Sequence, residues 1–325
     1  MSPLQDSYQR EINYLRVSVT DRCNLRCLYC LPQEGVPMLP HAEVLRLEEV
    51  ERVVRAGVLT GVKKVRLTGG EPLVRKGFTS LVEMIARIPE IDDLAVTTNG
   101  ILFGTYANEL KKAGLKRVNL SLDTLQPERY RRITGGGELA KVLAAIETAL
   151  ELGFHPVKLN TVVVKGFNDD EITALARLSL DRPLHVRFIE LMPFGPAKEW
   201  GKDASIPTVQ VQKRLESEFG TLEVGKKPAG GGPARYYRLP GAAGTVGFIS
   251  GVSGHICARC NRLRLTAAGK LRPCLFGEDE VDIKEPLRSG AGLEELAEII
   301  RTAIKSKYEK KASPGCTNVM ARIGG

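Results

Sequence analysis

The sequence predicts an α/β fold, in which an incomplete, open barrel of six βα units is followed by a small C-terminal domain. Two observations support the barrel. Six strand-like runs alternate with amphipathic stretches, as in right-handed βαβ units around a parallel sheet. One face of several of these strands is polar. The second domain is indicated by a change of pattern after Pro193.

The six strands are followed by segments typical of βα active-site loops. Strands are expected at 14–19, 63–68, 94–98, 117–122, 157–164 and 186–191, and helices near 47–59, 78–88, 105–113, 138–152 and 169–180. Polar or glycine-containing segments follow the carboxyl ends of the strands, where βα folds build their sites. Among them, Gly69 and Gly70 would let the backbone come close to a ligand that a Cβ would push away.

The two faces of the strands differ in chemistry. Alternate residues of a strand share a face, and the apolar faces carry residues such as Leu15 and Val17. The opposite faces carry Arg16, Ser18, Arg66, Thr68, Asn119, Ser121, Lys158 and Asn160. Because an unpaired buried charge costs several kcal/mol, we expect a wet or ligand-filled lumen that holds a polar, anionic molecule. An open sheet with one exposed face is the alternative.

The remainder of the chain indicates a small appended domain. Residues 194–208 form a Gly/Pro-interrupted connection and one helix is expected near 208–219. Residues 220–250 are rich in Gly and Pro, with short β-like pieces. We therefore expect a barrel domain at 10–219 and a C-terminal domain at 220–325.

Three cysteines, Cys23, Cys27 and Cys30, lie within eight residues after the first strand. A [4Fe–4S] cluster takes one thiolate per iron, so three cysteines would leave the fourth iron open to bind and activate a ligand. A structural zinc site is the alternative, but it needs four protein ligands. No fourth Cys or His lies near this triplet in the sequence.

A second triplet, Cys257, Cys260 and Cys274, lies in the appended domain. Zinc is a stronger alternative here, because His255 could complete a Cys₃His set. By spacing alone, zinc and a cluster are equally supported, and the pairing of two triplets in one chain favours two clusters. Cys316 stands apart, and no role is expected for it.

The chain is rich in positive charge, and some of its arginines are expected where they could bind an anion. The net charge is +9, which suggests a nucleotide, nucleic acid or acidic protein as partner. Arg262 and Arg264 share one face of an extended segment between the second-triplet cysteines, where guanidiniums can pair with phosphate. Much of the remaining charge is expected on solvated surface, including four lysines of the last helix, Lys305, Lys307, Lys310 and Lys311.

Targeting signals and nucleotide-binding loops are not evident in the sequence. There is no G-x-x-x-x-G-K-[ST] loop, no apolar run of membrane-spanning length and no apolar signal segment at the amino terminus. We expect a cytoplasmic protein.

The first triplet, with Tyr29 before its third cysteine, resembles the radical S-adenosylmethionine (SAM) superfamily. Within it, the paired triplets make the chain similar to the GTP 3′,8-cyclases of molybdenum cofactor biosynthesis. The segments that carry this resemblance are Leu15 to Pro32, Val65 to Pro72, Val118 to Asp123, Arg187 to Met192, Cys257 to Leu265 and Ile323-Gly324-Gly325.

The resemblance implies a role for each matching position. Cys23, Cys27 and Cys30 would hold the SAM cluster, and Cys257, Cys260 and Cys274 an auxiliary [4Fe–4S] cluster. The implied SAM contacts are Tyr29, Gly70, Ser121 and Met192. The implied GTP contacts are Arg16, Arg66, Thr97, Lys158, Arg262, Leu263 and Arg264. The implied catalytic residues are Arg16, Arg262, Arg264 and the terminal Gly324 and Gly325, which would reach into the active site.

The resemblance also implies a reaction. A 5′-deoxyadenosyl radical derived from SAM takes a hydrogen from ribose C3′ of GTP, and C3′ adds to guanine C8 to give 3′,8-cyclo-7,8-dihydro-GTP. A low-potential electron donor, a downstream cyclic pyranopterin monophosphate synthase and a homodimer are implied as partners. The alternatives are a radical SAM enzyme that modifies RNA or a peptide, and a non-catalytic zinc-dependent binding module.

Overall fold

The chain forms one large mixed sheet flanked by helices. The computed structural model describes residues 4–32, 34–230, 232–254 and 256–309. The strands are β1 (Tyr14–Ser18), β2 (Lys64–Thr68), β3 (Asp93–Thr98), β4 (Arg117–Ser121), β5 (Val157–Val163), β6 (Leu184–Glu190), β7 (Glu223–Val224), β8 (Arg235–Arg238), β9 (Thr245–Ile249), β10 (Arg262–Leu265), β11 (Lys270–Arg272) and β12 (Val281–Asp282).

The helices are α1 (Leu47–Leu59), α2 (Phe78–Ala86), α3 (Phe103–Lys112), α4 (Pro127–Thr134), α5 (Leu139–Glu151), α6 (Ile172–Arg177), α7 (Thr208–Phe219), α8 (Lys284–Arg288) and α9 (Leu293–Lys305). In sequence, α1 to α7 lie between strands, as the alternating pattern predicts, and α8 and α9 follow β12. The stretch expected as a helix over 169–180 is a 3₁₀ turn at Asp169–Glu171 followed by the short α6.

Eight neighbouring strands of the sheet run parallel, in the order β10-β1-β2-β3-β4-β5-β6-β9. The six strands predicted from the sequence form its centre. The two outer parallel strands, β9 and β10, come from the C-terminal part of the chain. Antiparallel strands continue the sheet beyond them on both sides, so the barrel is open, as predicted.

The core lies between the apolar face of the sheet and the helices. Leu15, Val17, Val65 and Leu67 are fully buried there with residues of the surrounding helices, such as Val53 of α1. The strand residues between them face the other way, into the lumen. Strand alternation therefore separates a hydrocarbon layer from a polar interior, and this is the arrangement that positions the site. Among the described residues, no helix is long and apolar enough to cross a membrane.

Candidate active site

The lumen of the open barrel contains a cavity of about 270 Å³. The first cysteine triplet lies at its carboxyl-terminal edge, and arginines from four strands line its interior. Residues from both halves of the chain line this cavity. They include Tyr14, Arg16, Cys23, Cys27, Tyr29, Cys30, Arg66, Gly69, Gly70, Thr97, Asn99, Ser121, Asp123, Asn160, Arg187, Glu190, Met192, Phe194, Arg262, Arg264 and Leu275.

The loop that carries the first triplet is tied to the glycine pair after β2. Gly70 N donates to Thr20 O at 2.9 Å, and Glu71 N donates to Arg22 O at 2.8 Å. A Cβ on Gly70 would lie 2.4 Å from Arg22 O, and one on Gly69 would lie 2.5 Å from Thr20 O. The glycines are therefore required by the approach of the cysteine-bearing loop itself, a reason that the sequence pattern did not show.

Glu71 fastens three further backbone and side-chain groups around this loop. Its buried carboxylate accepts from Leu73 N, Thr98 Oγ1 and Asn99 N at 2.7–3.0 Å. Burial raises the pKa of Glu71 to about 7 against these hydrogen bonds, which lower it. Asn99, held in this way, places its side-chain amide 4.0 Å from the sulfur of Cys23. The glycine loop and the β3 loop thus form one support for the first triplet.

The first triplet has the chemistry expected of cluster ligands. Burial raises the pKa of Cys27 well above its usual value and also raises that of Cys23. The thiols therefore need a cationic group before they ionise, and iron supplies one. Leu25 N donates to the Cys23 sulfur at 3.4 Å, a contact that suits a thiolate ligand. The residues present fit an iron–sulfur cluster.

A hydrogen bond to Asp123 holds Tyr29 beside the carboxyl ends of β4 and β5, at the edge of the cavity. Its hydroxyl donates to Asp123 Oδ2 at 2.7 Å, and Asp123 Oδ1 accepts from Val162 N at 2.8 Å. Asp123 is 3% exposed, and burial raises its pKa to about 6. This bond joins the cysteine loop to the carboxyl ends of β4 and β5, so it sets where the Tyr29 ring lies over the cavity.

Three lumen arginines lie at one level of the sheet. Arg16 of β1 is in register with Arg66 of β2 on one side and with Arg264 of β10 on the other. Burial, and the like charges beside it, lower the pKa of each guanidinium, to about 10 for Arg66 and about 9 for Arg264. The described part of the lumen therefore concentrates positive charge, and at Arg66 and Arg187 not every buried donor has an acceptor.

Arg66 and Arg187 show this deficit most directly. Within the described residues, Arg66 Nε and Nη2 and Arg187 Nε are buried without a hydrogen-bond partner. Arg187 also donates to Asn119 Oδ1 at 2.9 Å. Buried donors of this kind are normally satisfied. Their orientation into a cavity indicates that an anionic ligand completes them.

At the amino-terminal end of the strands, backbone carbonyls and one carboxylate accept hydrogen bonds from two basic side chains. Arg117 is paired with Asp93 at 2.5 Å and also donates to Gly230 O at 3.2 Å. Lys158 donates to Ala229 O at 2.5 Å. Burial, followed by repulsion from nearby arginines, lowers the pKa of Lys158 to about 5. The glycine-rich segment before β8 thus lies across this end of the barrel.

The second triplet borders a smaller cavity of about 30 Å³, lined by Cys257, Cys260 and Cys274. This cavity shares Arg262, Arg264 and Leu275 with the large one. Burial raises the pKa of Cys260, but Arg262 and Lys307 outweigh it and lower the value to about 6. The Cys260 thiol is therefore readily deprotonated to the thiolate, which is the form that binds metal. In the described residues, no three Cys, His, Asp or Glu side chains gather into a site for a single metal ion.

Most site residues predicted from the sequence meet at these two cavities. The large cavity is lined by all of the SAM-position residues and by Arg16, Arg66, Thr97, Arg262 and Arg264. Leu263 and Lys158 do not line it in the described structure, since Leu263 is in the core and Lys158 is buried beneath. Gly324, Gly325, Cys316 and His255 lie outside the described residues.

Arg187, Asp123 and Glu190 are among the site residues that were not singled out from the sequence. Arg187 follows the same alternation as Lys158, because Val186 and Phe188 on either side of it face the core. Asp123 follows β4 and Glu190 is the last residue of β6, so both lie at the strand ends where site residues are expected. Glu190 is buried and accepts from Thr208 N, Val252 N and Ser253 N at 2.8–2.9 Å, which joins β6 to the loop before Cys257. Alternation and position at a strand end would have identified these three.

Comparison with known proteins identifies the class first. The Radical SAM superfamily matches residues 17–179, and Molybdenum Cofactor Synthesis C matches residues 184–313. Streptococcus suis SuiB bound to its precursor peptide SuiA has the same fold, with a TM-score of 0.59 and 15% identity, covering 94% of this chain and 71% of that one. The AdoMet-bound structure of anSMEcpe aligns with a TM-score of 0.53 and 15% identity, over 87% and 78% of the two chains. The chain is a radical SAM protein.

Closer relatives are similar over nearly the whole length. A GTP 3′,8-cyclase of Pelotomaculum thermopropionicum is 60% identical over 307 residues, which cover 94% of each chain. A GTP 3′,8-cyclase of Desulforamulus reducens is 53% identical over 323 residues, which cover 98% of this chain and 99% of that one. The chain belongs to the GTP 3′,8-cyclase family.

Proposed function

We propose that this protein converts GTP to 3′,8-cyclo-7,8-dihydro-GTP, the first step of molybdenum cofactor biosynthesis, in the cavity between its two cysteine triplets. The single observation that carries this proposal is the set of arginines that line that cavity. Arg16, Arg66, Arg187, Arg262 and Arg264 line one space, and Arg66 and Arg187 carry buried donors that have no hydrogen-bond partner among the described residues. A nucleoside triphosphate would bring negative charge and acceptor oxygens to these guanidiniums.

The first triplet and the residues around it would hold SAM and its cluster. Cys23, Cys27 and Cys30 are the iron ligands in this proposal. Tyr29, Gly70, Ser121 and Met192 are the SAM contacts, and all four line the same cavity as the three thiols. When bound and reduced, this group supplies the hydrogen-atom abstraction at ribose C3′. The chain supplies the loop that the Gly70 contacts and the Tyr29–Asp123 bond hold in place.

GTP would lie deeper in the lumen, between the two triplets. Arg16, Arg66, Thr97, Arg262 and Arg264 would contact it directly, with Arg16, Arg262 and Arg264 also acting as catalytic residues. Lys158 and Leu263 would support this surface from behind. Holding the ribose and the base in one orientation is worth roughly 7–11 kcal/mol in favourable intramolecular reactions. The enclosed lumen also keeps water from the reacting carbon.

Cys257, Cys260 and Cys274 would hold a second [4Fe–4S] cluster, next to the guanine base. The depressed pKa of Cys260 and the arginines shared by both cavities support this assignment. In functional terms, residues 10–219 would bind SAM, and residues 220–325 would carry the second cluster. Gly324 and Gly325 would enter the active site, and their deletion should abolish cyclisation with both clusters retained.

The proposal places the protein in the cytoplasm, as a homodimer. A low-potential reductant would supply its electron, and a cyclic pyranopterin monophosphate synthase would consume the product. The proposal includes neither a nucleic acid nor a membrane as a partner of the protein.

The test uses protein purified and reconstituted without oxygen, with SAM and dithionite. Formation of 5′-deoxyadenosine is measured with GTP, with ATP in its place, and with no nucleotide. The expected result is strong dependence on GTP, together with conversion of GTP to an acid-labile cyclised product. SAM cleavage that is indifferent to GTP would overturn the assignment of substrate. Zinc without acid-labile sulfide would overturn the assignment of cofactor.

A further inference from the structure

Lys307 is a buried lysine next to the second cysteine triplet. The sequence pattern placed it on a solvated face of the last helix, and that expectation is wrong. It lies two residues beyond the end of α9 and is 5% exposed. Its ammonium donates to Arg262 O at 2.8 Å and to Pro273 O at 2.6 Å, and it lies 4.0 Å from the Cys260 sulfur.

These two carbonyls belong to the segments that carry Cys260 and Cys274. Arg262 is two residues beyond Cys260, and Pro273 directly precedes Cys274. One ammonium therefore ties together two cysteines that thirteen intervening residues separate in the sequence. An uncharged donor could make the same two hydrogen bonds, so the hydrogen bonds alone do not explain a buried cation.

Arg10 provides the corresponding tie for the third cysteine. Its guanidinium donates to Cys257 O at 2.8 Å and to Tyr308 O at 2.6 Å, and its Nε is paired with Asp6 at 2.6 Å. Each of the three cysteine-bearing segments thus has a backbone carbonyl bound by one of two buried cations. Lys307 and Tyr308, whose carbonyl oxygen Arg10 binds, are neighbours in the chain. The two cations therefore fix the segment after α9 to the triplet.

The difference between the two cations lies in their counter-charges. Arg10 has the carboxylate of Asp6, whereas the hydrogen-bond acceptors shown for the Lys307 ammonium are carbonyls and the Cys260 sulfur. A cluster bound by three thiolates carries net negative charge, and reduction adds one more electron. The reduction potential of such a cluster depends on its net charge and on nearby hydrogen bonds. A fixed ammonium beside it favours the reduced state.

We propose that Lys307 is the positioning residue and the counter-charge of the second cluster. It holds the Cys260 and Cys274 segments at cluster spacing, and its positive charge raises the cluster's reduction potential. This inference rests on the proposed second cluster, and it adds a residue and an electrostatic role that the cysteine pattern does not contain. Arg10 holds the third segment without contributing net charge.

The experiment compares Lys307→Met, Lys307→Arg and the exposed control Lys305→Met in the full chain. Each variant is reconstituted without oxygen and assayed for iron and sulfide. Each is then prepared again with Cys23, Cys27 and Cys30 changed to Ala, so that the second site alone remains. Redox titration followed by electron paramagnetic resonance gives the potential of that site.

The expected result is specific to the charge at position 307. Lys307→Met loses the second cluster, which halves the iron and sulfide of the full chain, or it retains the cluster at a more negative potential. Lys307→Arg and Lys305→Met match the unsubstituted protein in both measurements. If Lys307→Met also loses iron from the first site, Lys307→Gln replaces it and is judged by the same criteria.

Two results would overturn the inference, and they are distinguishable. If Lys307→Met matches Lys305→Met in iron content and potential, or if Lys307→Arg loses as much iron as Lys307→Met, the second cluster stands and the role of the charge fails. If the unsubstituted second site takes up zinc, or no sulfide, the second cluster and the role of Lys307 fail together.

Discussion

Arg16 and Arg66 lie directly beside each other on neighbouring parallel strands, with both guanidiniums in the lumen. Like charges opposite one another weaken a sheet, and here burial adds to the cost. The arrangement is sustained because Leu15, Val17, Val65 and Leu67 pack the other face of the same two strands. The hydrocarbon face stabilises the sheet, and the lumen face is left free to bind an anion.

Replacing Arg66 should separate stability from binding. With Arg66→Met, we expect the free energy of unfolding without ligand to stay level or rise by about 1 kcal/mol, because a buried, partly unsatisfied cation is removed. Affinity for GTP should fall by about 2 kcal/mol or more, roughly 30-fold. Denaturant titration and calorimetry measure the two quantities. Arg87→Met, at an exposed position directly after α2, is the control and should change neither. A less stable Arg66→Met protein with unchanged affinity would show that Arg66 is structural.

The Tyr29–Asp123 bond should contribute to SAM binding as a unit. Tyr29→Phe and Asp123→Ala each remove the 2.7 Å contact, and a hydrogen bond to a charged group is worth about 1.5–3 kcal/mol. We expect each variant to weaken SAM binding, and the double variant to be little worse than Asp123→Ala. A double-mutant cycle on the dissociation constant for SAM gives the coupling energy. Strictly additive losses would show that the two residues act independently.

Gly70→Ala should remove the first cluster selectively. The new Cβ would lie 2.4 Å from the backbone oxygen of Arg22, so the cysteine loop must move. We expect about half of the iron to be lost while the second site keeps its share. Gly104→Ala is the matched control: nothing lies within 4 Å of its Cβ, and it is in α3. It should be neutral or stabilising by up to about 1 kcal/mol. Full iron content in Gly70→Ala would contradict the role given to this contact.

GTP binding should take up a proton at Lys158. Its pKa is lowered to about 5, so the side chain is neutral at pH 7 when the lumen is empty. A triphosphate nearby raises that pKa, and the bound state therefore holds more protons than the free state. It follows that affinity weakens as pH rises above about 5, until the pKa of the bound form is passed. Calorimetry at pH 7 in buffers of different ionisation enthalpy measures the uptake, and Lys158→Met should show about one proton less. Equal uptake by both proteins would exclude Lys158 as the acceptor.

Most helices of the barrel could be predicted from the local sequence pattern. The helix expected at 47–59 is α1, and the one near 208–219 is α7. The helix α4, Pro127–Thr134, was not predicted, because it is short and its residues are mostly polar. Its signals were nevertheless present, with Pro127 at the first position and Gly135 in the left-handed conformation at the end. Capping residues identify such a helix better than its hydrophobic periodicity does.

The sheet could be predicted only in part. Alternation in β1, β2, β4 and β5 predicted a polar lumen, and Arg16 and Arg66 indeed face it. The expectation of an appended domain did not anticipate that β9 and β10 would extend the same parallel sheet on both sides. Pairing between strands from distant parts of the chain depends on contacts that no local pattern records.

By itself, the sequence determined the residue types and their local spacing: two cysteine triplets, the glycine pair and an alternation that sends polar and basic side chains to one face of several strands. These are properties of neighbouring residues, and local covalent geometry is sufficient to express them. Only the tertiary structure decided that Arg264 lies in register with Arg16, that Gly70 supports the cysteine loop, and that Lys307 is buried beside the second triplet. Each of these joins segments far apart in the chain, and their positions are set by packing of the whole sheet and its helices.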